Sequence, residues 1–257
     1  MHASITLQTH PERQYLLRIG DSCLILAQRL SEWCGHGPVL EEDIALANIA
    51  LDLIGQARAV LTYAGHIAAP TYSEDQLAFL RDERDYRNLT LVELPRGDFA
   101  FTTLRNLLVT TFLKHLWHRL CSSSDATLAG IATAAVKETR YHQRHAADWI
   151  ICLGKGTEES HQRVNNALNA LWPYTTEIFT ANAIDDEVSA TGFGPRWADL
   201  QQDWLAEIDT IFTASALIRP NDTSFSSDGK NGIHSEHMGY ILAEMQFLQR
   251  SFPGGVW

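Results

Sequence analysis

Residues 16–64 read LLRIGDSCLILAQRLSEWCGHGPVLEEDIALANIALDLIGQARAVLTYA, two apolar stretches separated by Gly35, Gly37 and Pro38. Leu16, Ile19, Cys23, Leu26, Leu30 and Trp33 recur at alternating spacings of three and four, which predicts a helix over 13–33 with one continuous apolar stripe. Glu41, Glu42 and Asp43 follow the break and put negative charge where a helix dipole favours it. The second helix, predicted over 39–66, carries Ile44, Ala47, Leu51, Ile54 and Leu61 on one side and Leu46, Ile49, Leu53 and Val60 on another. Apolar on most faces, it is expected to be a central, buried element.

Working outward, 70–97 holds the charged run Arg81 to Asp85 and the turn signal Pro95-Arg96-Gly97, read as a short helix and a long connection. Helices are predicted at about 98–122, 125–153 and 157–182, with Asp125 and Thr157 as N-caps and Gly154 and Gly156 as stop signals. A Gly192-Phe193-Gly194-Pro195 break precedes a sixth at 196–217, and a polar segment leads to a seventh at 233–251. Helices of roughly 20–28 residues span about 30–42 Å, the scale of an up-and-down bundle. The expected fold is all-α: one ferritin-like helix bundle over 1–257 with a long crossover and additional C-terminal helices.

The formal charge of −11 repels phosphate backbones and anionic lipid surfaces, so nucleic acid and membrane are not expected as partners. Cys23, Cys34, Cys121 and Cys152 form no CxxC pair and sit in apolar stretches, which reads as buried thiols in a reducing compartment, and a cytoplasmic address is expected. Neither a nucleophile elbow nor a phosphate-binding P-loop occurs.

A carboxylate-bridged metal pair in such a bundle takes one Glu from each of two helices and Glu-x-x-His from each of the other two, because residues three apart share a helix face. Residues 99–124, FAFTTLRNLLVTTFLKHLWHRLCSSS, contain no Asp or Glu. Of the 11 histidines, only His161 has a Glu three residues before it. That residue is Glu158, in the first turn of a helix, where an acid serves as a cap. Asn48, Asp52 and Gln56 form a polar line on the second helix, and Glu138 and His142 lie along the apolar stripe of helix 125–153. Together they are expected to form a buried polar cluster satisfied by mutual hydrogen bonds or by Arg rather than by metal. His115 with His118 and His142 with His145 read as core or interface histidines, while His234, Glu236, His237 and the terminal Trp257 are candidates for an interface.

Residues 16–64, with LAFLRDERDYRNLTLVEL at 77–94, KETRYHQRHAADWIICLGKGT at 137–157 and GIHSEHMGYILAEMQFLQR at 232–250, resemble the C-subunit family of bacterial phenylacetyl-CoA 1,2-epoxidases. The resemblance implies a cytoplasmic multicomponent oxygenase that epoxidises the aromatic ring of phenylacetyl-CoA in aerobic phenylacetate catabolism. In it a homologous A subunit holds the di-iron centre, a reductase delivers electrons, and the C subunit is a non-catalytic structural partner with no cofactor of its own. Laid on this chain, the sister's motifs fall on Leu53 and Gln56 and on Thr139 and His142, and a first-helix acid survives as Glu32. Acyl-CoA would then meet the chain only through the complex, and the isolated chain could pair with itself. The alternative is a di-iron oxygenase in its own right with a degenerate ligand set built from Glu32, Asp52, Glu138 and His142.

Overall fold

The computed structural model describes residues 4–5, 7–221 and 223–255. In chain order the helices are α1 (Pro11–Ser31), α2 (Leu40–His66), α3 (Glu74–Phe79), α4 (Thr90–Glu93), α5 (Phe99–Leu120), α6 (Ala126–Gly154), α7 (Glu158–Leu171), α8 (Thr176–Phe179), α9 (Ala183–Ala190), α10 (Gln201–Ala214), α11 (Glu236–Met245) and α12 (Phe247–Ser251). Among the described residues there is no β-strand, only an isolated bridge between Asp228 and Ile233. The fold is all-α of the ferritin-like helical class, its long helices running as the hairpins α1/α2 and α5/α6. Two compact units divide the chain, 1–95 with 227–257 and 96–226, where the sequence reading takes 1–257 as one domain.

In the first unit α1 and α2 lie antiparallel. Leu61 and Val60 pack on Gly20, and Gln56 stands opposite Cys23. The turn between them closes because Asp43 reaches back to accept the Gly37 N–H at 3.0 Å. At the far end the buried Arg13 caps α2, donating to the Ala64 carbonyl of its last turn at 3.0 Å and to the Pro70 carbonyl of the following segment at 2.8 Å. Only glycine fits at 65, because a Cβ there would collide with the Tyr72 carbonyl oxygen.

Every residue of α1 from Arg13 to Ala27 is buried. The expectation of a central α2 is corrected. Leu46, Ile49, Leu53, Val60 and Leu61 are buried, whereas Leu40, Ile44, Leu51 and Ile54 stand exposed. By length and hydropathy α2 could cross a membrane, but its buried side is committed to α1.

A buried ion pair ties the crossover to α1. Asp21 and Arg81 are both inaccessible to solvent, with guanidinium–carboxylate distances of 2.5 and 2.9 Å. Asp21 also accepts the Arg87 backbone N–H at 2.9 Å. Arg81 lies 4.2 Å over the Tyr86 ring and donates to the Leu77 and Asp85 carbonyls. Gln246, at the end of α11, donates to the Ala78 and Arg81 carbonyls and to the Tyr86 hydroxyl, closing the network from the C-terminal side.

A second buried pair joins α4 to the start of α11. Glu93 accepts from the Ser235 backbone N–H and from Asn88, and lies 2.8 Å from His234 Nδ1. The other ring nitrogen of His234 faces the Tyr86 carbonyl at 3.1 Å and must donate to it. With a carboxylate on Nδ1, the ring is held as the imidazolium. Burial alone would lower its pKa, but the hydrogen bond and charge of Glu93 outweigh burial and raise it.

In the second unit α5 and α6 also run antiparallel, Phe99 packing edge-on against Trp149 at 5.0 Å. Asp98 and Asp125 cap the two helices as acceptors of the Phe101 and Leu128 N–H groups. The helix expected over 157–182 is corrected: α7 ends at Leu171, because Pro173 has no N–H to continue the ladder and the chain tightens into a 3₁₀ turn over Trp172–Thr175. The segment then folds back, and Trp172, Phe179, Trp204 and Phe212 form an aromatic cluster. Trp204 Nε1 donates to the Leu108 carbonyl at 2.9 Å, which docks α10 on α5.

Leaving a buried charge without its partner costs about 3–5 kcal/mol. Asp21→Asn is therefore expected to lower the unfolding free energy in urea by roughly that amount, and a change below about 1 kcal/mol would contradict the buried pair.

A raised folded-state pKa makes the His234 contribution fully present below the unfolded histidine value of about 6.5 and lost as pH rises through the folded value. The stability difference between the natural chain and His234→Gln is accordingly expected to be largest near pH 6 and to shrink toward pH 8.5. A difference growing with pH would contradict the assignment.

Candidate functional site

A metal pair would need inward carboxylates at mid-helix, and the positions that the resemblance assigns to ligands can be inspected one by one. Leu53 is buried on α2 and offers no donor atom. Gln56, one turn on, is buried with its amide oxygen 4.0 Å from Cys23 Sγ. Burial and then the charge of Asp21 push the Cys23 thiol up to about 12, so it stays protonated and is a poor ligand. Glu32 lies past the last turn of α1, 37% exposed, and pairs with Arg29 at 2.6 Å. The acid in the middle of α1 is Asp21, and it is bound to Arg81.

On α6 Thr139 is buried and commits its hydroxyl to the Ala135 carbonyl at 2.9 Å, while His142 is buried and Glu138 is partly exposed. The buried polar side chains of α5 are Thr102, Thr103, Arg105, Asn106, Thr110 and Thr111, none of them negatively charged. Among the described residues no three His, Cys, Asp or Glu side chains converge in a way that could hold a metal. The donor set does not fit a carboxylate-bridged iron pair.

The structure places the other expected positions as follows. Of the polar cluster, Gln56 and His142 are buried, Asp52 and Glu138 are half-buried, and Asn48 is exposed. Asn48, Asp52 and Gln56 belong to the first unit, Glu138 and His142 to the second. His161 donates from Nδ1 to the Gly154 carbonyl at 2.7 Å, a helix-capping contact next to the Thr157 cap. His115 binds Glu207 at 2.9 Å, and His118 is exposed. The His234 ring is buried against Glu93, so this residue is an internal strut; Glu236 is exposed, His237 is partly so, and Trp257 lies outside the described residues. Of the cysteines only Cys23 is buried; Cys34 and Cys152 are exposed and Cys121 is half-buried.

What the first unit offers outward is apolar surface. Leu40 (73% exposed), Ile44 (53%) and Leu51 (64%) follow one another at four and seven residues, one face of α2. Gly55 beyond them has open space where a side chain would stand. Near the C-terminus Ile233, Tyr240, Phe247, Leu248 and Phe252 are exposed as well. Large side chains in a row on one helix face mark association surfaces, whereas scattered ones mark nothing. Periodicity alone could not separate this face of α2 from its core face, because both are written in Leu, Ile and Ala.

Comparison with known proteins agrees with the sequence resemblance. A family described as phenylacetic acid catabolic protein matches residues 2–257. The chain is 47% identical over 243 residues to a protein of Escherichia coli (strain K12) named as the C subunit of 1,2-phenylacetyl-CoA epoxidase, an alignment covering 95% of this chain and 98% of that one. The chain belongs to the phenylacetic acid catabolic protein family.

Proposed function

We propose that this chain is the structural C subunit of a phenylacetyl-CoA 1,2-epoxidase, an oxygenase complex of aerobic phenylacetate breakdown, and that it acts by pairing with and holding the homologous catalytic subunit. What supports this reading is that Leu53, Gln56 and Thr139, where the resemblance lays the sister's ligands, carry no carboxylate, and that the mid-helix acid of α1 is paired with Arg81. In this reading the iron pair resides in the sister subunit and electrons arrive through a reductase. The cytoplasm is the fitting compartment, with a free buried thiol and no disulfide among the described residues. The net charge of −11 disfavours nucleic acid as a partner.

The physical role is that of a rigid counter-surface. Burial of apolar area stabilises association by about 25 cal/mol per Å², and the exposed row on α2 supplies such area. A helix whose inner face is locked to α1 can present that row without an ordering cost at the moment of pairing. The alternative, an oxygenase with a degenerate ligand set, rests on the buried imidazole of His142 one turn from Glu138. It requires His142 for turnover.

Ile44→Glu combined with Leu51→Glu places two charges on the α2 face without touching the core. When this variant is co-expressed with the catalytic partner, co-purification is expected to fall at least about tenfold, since each desolvated charge opposes burial by more than the roughly 1.4 kcal/mol that makes a factor of ten. Far-ultraviolet circular dichroism of the variant should be unchanged. A complex recovered in natural yield would reject α2 as the docking face. His142→Ala, assembled with the metal-loaded sister, is expected to support normal turnover, and abolished turnover with intact assembly would favour the alternative.

A further inference from the structure

Within the second unit, α5, α6 and α10 enclose a groove of about 700 Å³, inside the range of small-molecule sites. Its basic wall runs against the charge of the chain. Lys114, His115 and His118 come from α5 and Arg140 and Arg144 from α6, and the acid among the lining residues is Glu207 of α10. That acid is fully engaged, bound by Lys114 Nζ and by His115 Nε2 at 2.9 Å. Burial would raise the Glu207 pKa, but these two hydrogen bonds and charges win and lower it, so it stays ionised and holds both side chains in place.

Arg140 and Arg144 are one turn apart on α6, and among the described residues neither forms a hydrogen bond or an ion pair. Gln143 lies between them in sequence. It is 8% exposed, it lines the groove, and its amide has no hydrogen-bond partner among the described residues. The body of this side chain is buried while its amide atoms open into the groove, where they take their hydrogen bonds from whatever fills it. Ala147 and Ile211 give the groove an apolar side.

We infer that this groove binds a nucleoside phosphate, the phosphate held by Arg140 and Arg144 and the base lying on the apolar side within reach of the Gln143 amide. Guanidinium forks match phosphate oxygens in pairs, and two of them a turn apart suit a mono- or diphosphate. The volume is far larger than phosphate alone requires, and the apolar lining calls for a flat, weakly polar body attached to the anion. A polyanion would meet the repulsion of the whole acidic chain, whereas a small anion is screened beyond about 10 Å at roughly 0.1 M salt and feels mainly the local cations. The site is distinct from the α2 face, so its failure would leave the scaffold role untouched.

Titration calorimetry on the full chain with ADP, coenzyme A, inorganic pyrophosphate and adenosine tests the site. ADP or coenzyme A is expected to bind, the stronger of the two showing whether a free nucleotide or the nucleotide end of an acyl carrier is the natural source. Pyrophosphate should bind more weakly than either, and adenosine should give no heat. Arg140→Gln with Arg144→Gln should weaken nucleotide binding about tenfold or more, with the unfolding midpoint unchanged because both side chains are exposed. Gln143→Leu should bring nucleotide affinity down to that of pyrophosphate while leaving pyrophosphate unaffected. Absence of heat with both nucleotides at millimolar concentration overturns the inference. So does a double variant whose nucleotide affinity is unchanged, and if that variant also fails to assemble with the other subunits, the groove is a protein-docking surface instead.

Discussion

A carboxylate in the middle of a helix, sealed from water, must be ionised against a partner or not ionised at all. Asp21 is paired with Arg81, and much of the first unit follows from that pairing. The guanidinium carries with it the carbonyls of Leu77 and Asp85 and the ring of Tyr86, and Asp21 also takes the backbone N–H of Arg87. Gln246 and Arg250 then tie the C-terminal helices to the same stretch through the Arg81 carbonyl. One acid thereby adds a polar anchor to a connection that also buries Leu77, Tyr86, Leu89 and Leu91.

The same choice bears on chemistry. An acid locked in a bidentate pair is not available to a cation, since a metal would have to displace a guanidinium that has no water to retreat into. Together with Leu53, the neutral Gln56 amide and the Thr139 hydroxyl turned back on its own helix, this leaves no metal-binding cluster of three His, Cys, Asp or Glu side chains among the described residues. Conversely, the molecule keeps large apolar side chains in water along α2. In the proposed reading, that exposed row is where the catalytic subunit is held.

The all-helical architecture and the long helices were legible in the sequence because spacing of three and four residues survives any tertiary context. Helix ends at 31, 66, 120 and 154 lie close to the Gly, Pro and Ser signals that announce them. The environment of α2 was not legible. Ile44 and Leu46, one exposed and the other buried, look alike in an Ile- and Leu-rich helix until a neighbour is placed. The break after Leu171 was signalled by Pro173 but hidden by apolar residues on both sides. Among the candidate site residues, Leu53 and Thr139 were readable directly as side chains without a carboxylate or imidazole. The pairing of Asp21 with Arg81, 60 residues apart, and of Glu93 with His234 was not, because long-range charge pairs leave no local period. The basic groove was half legible: Arg140 and Arg144 share a helix face in the sequence, but the solitude of Gln143 between them is a property of the fold.

Metal content of the purified full chain, expressed alone with ample iron and measured by atomic emission, bears most directly on the central claim. Iron well below one atom per chain is the outcome that the side-chain inventory predicts. A stoichiometric two-iron centre in this chain by itself would contradict it.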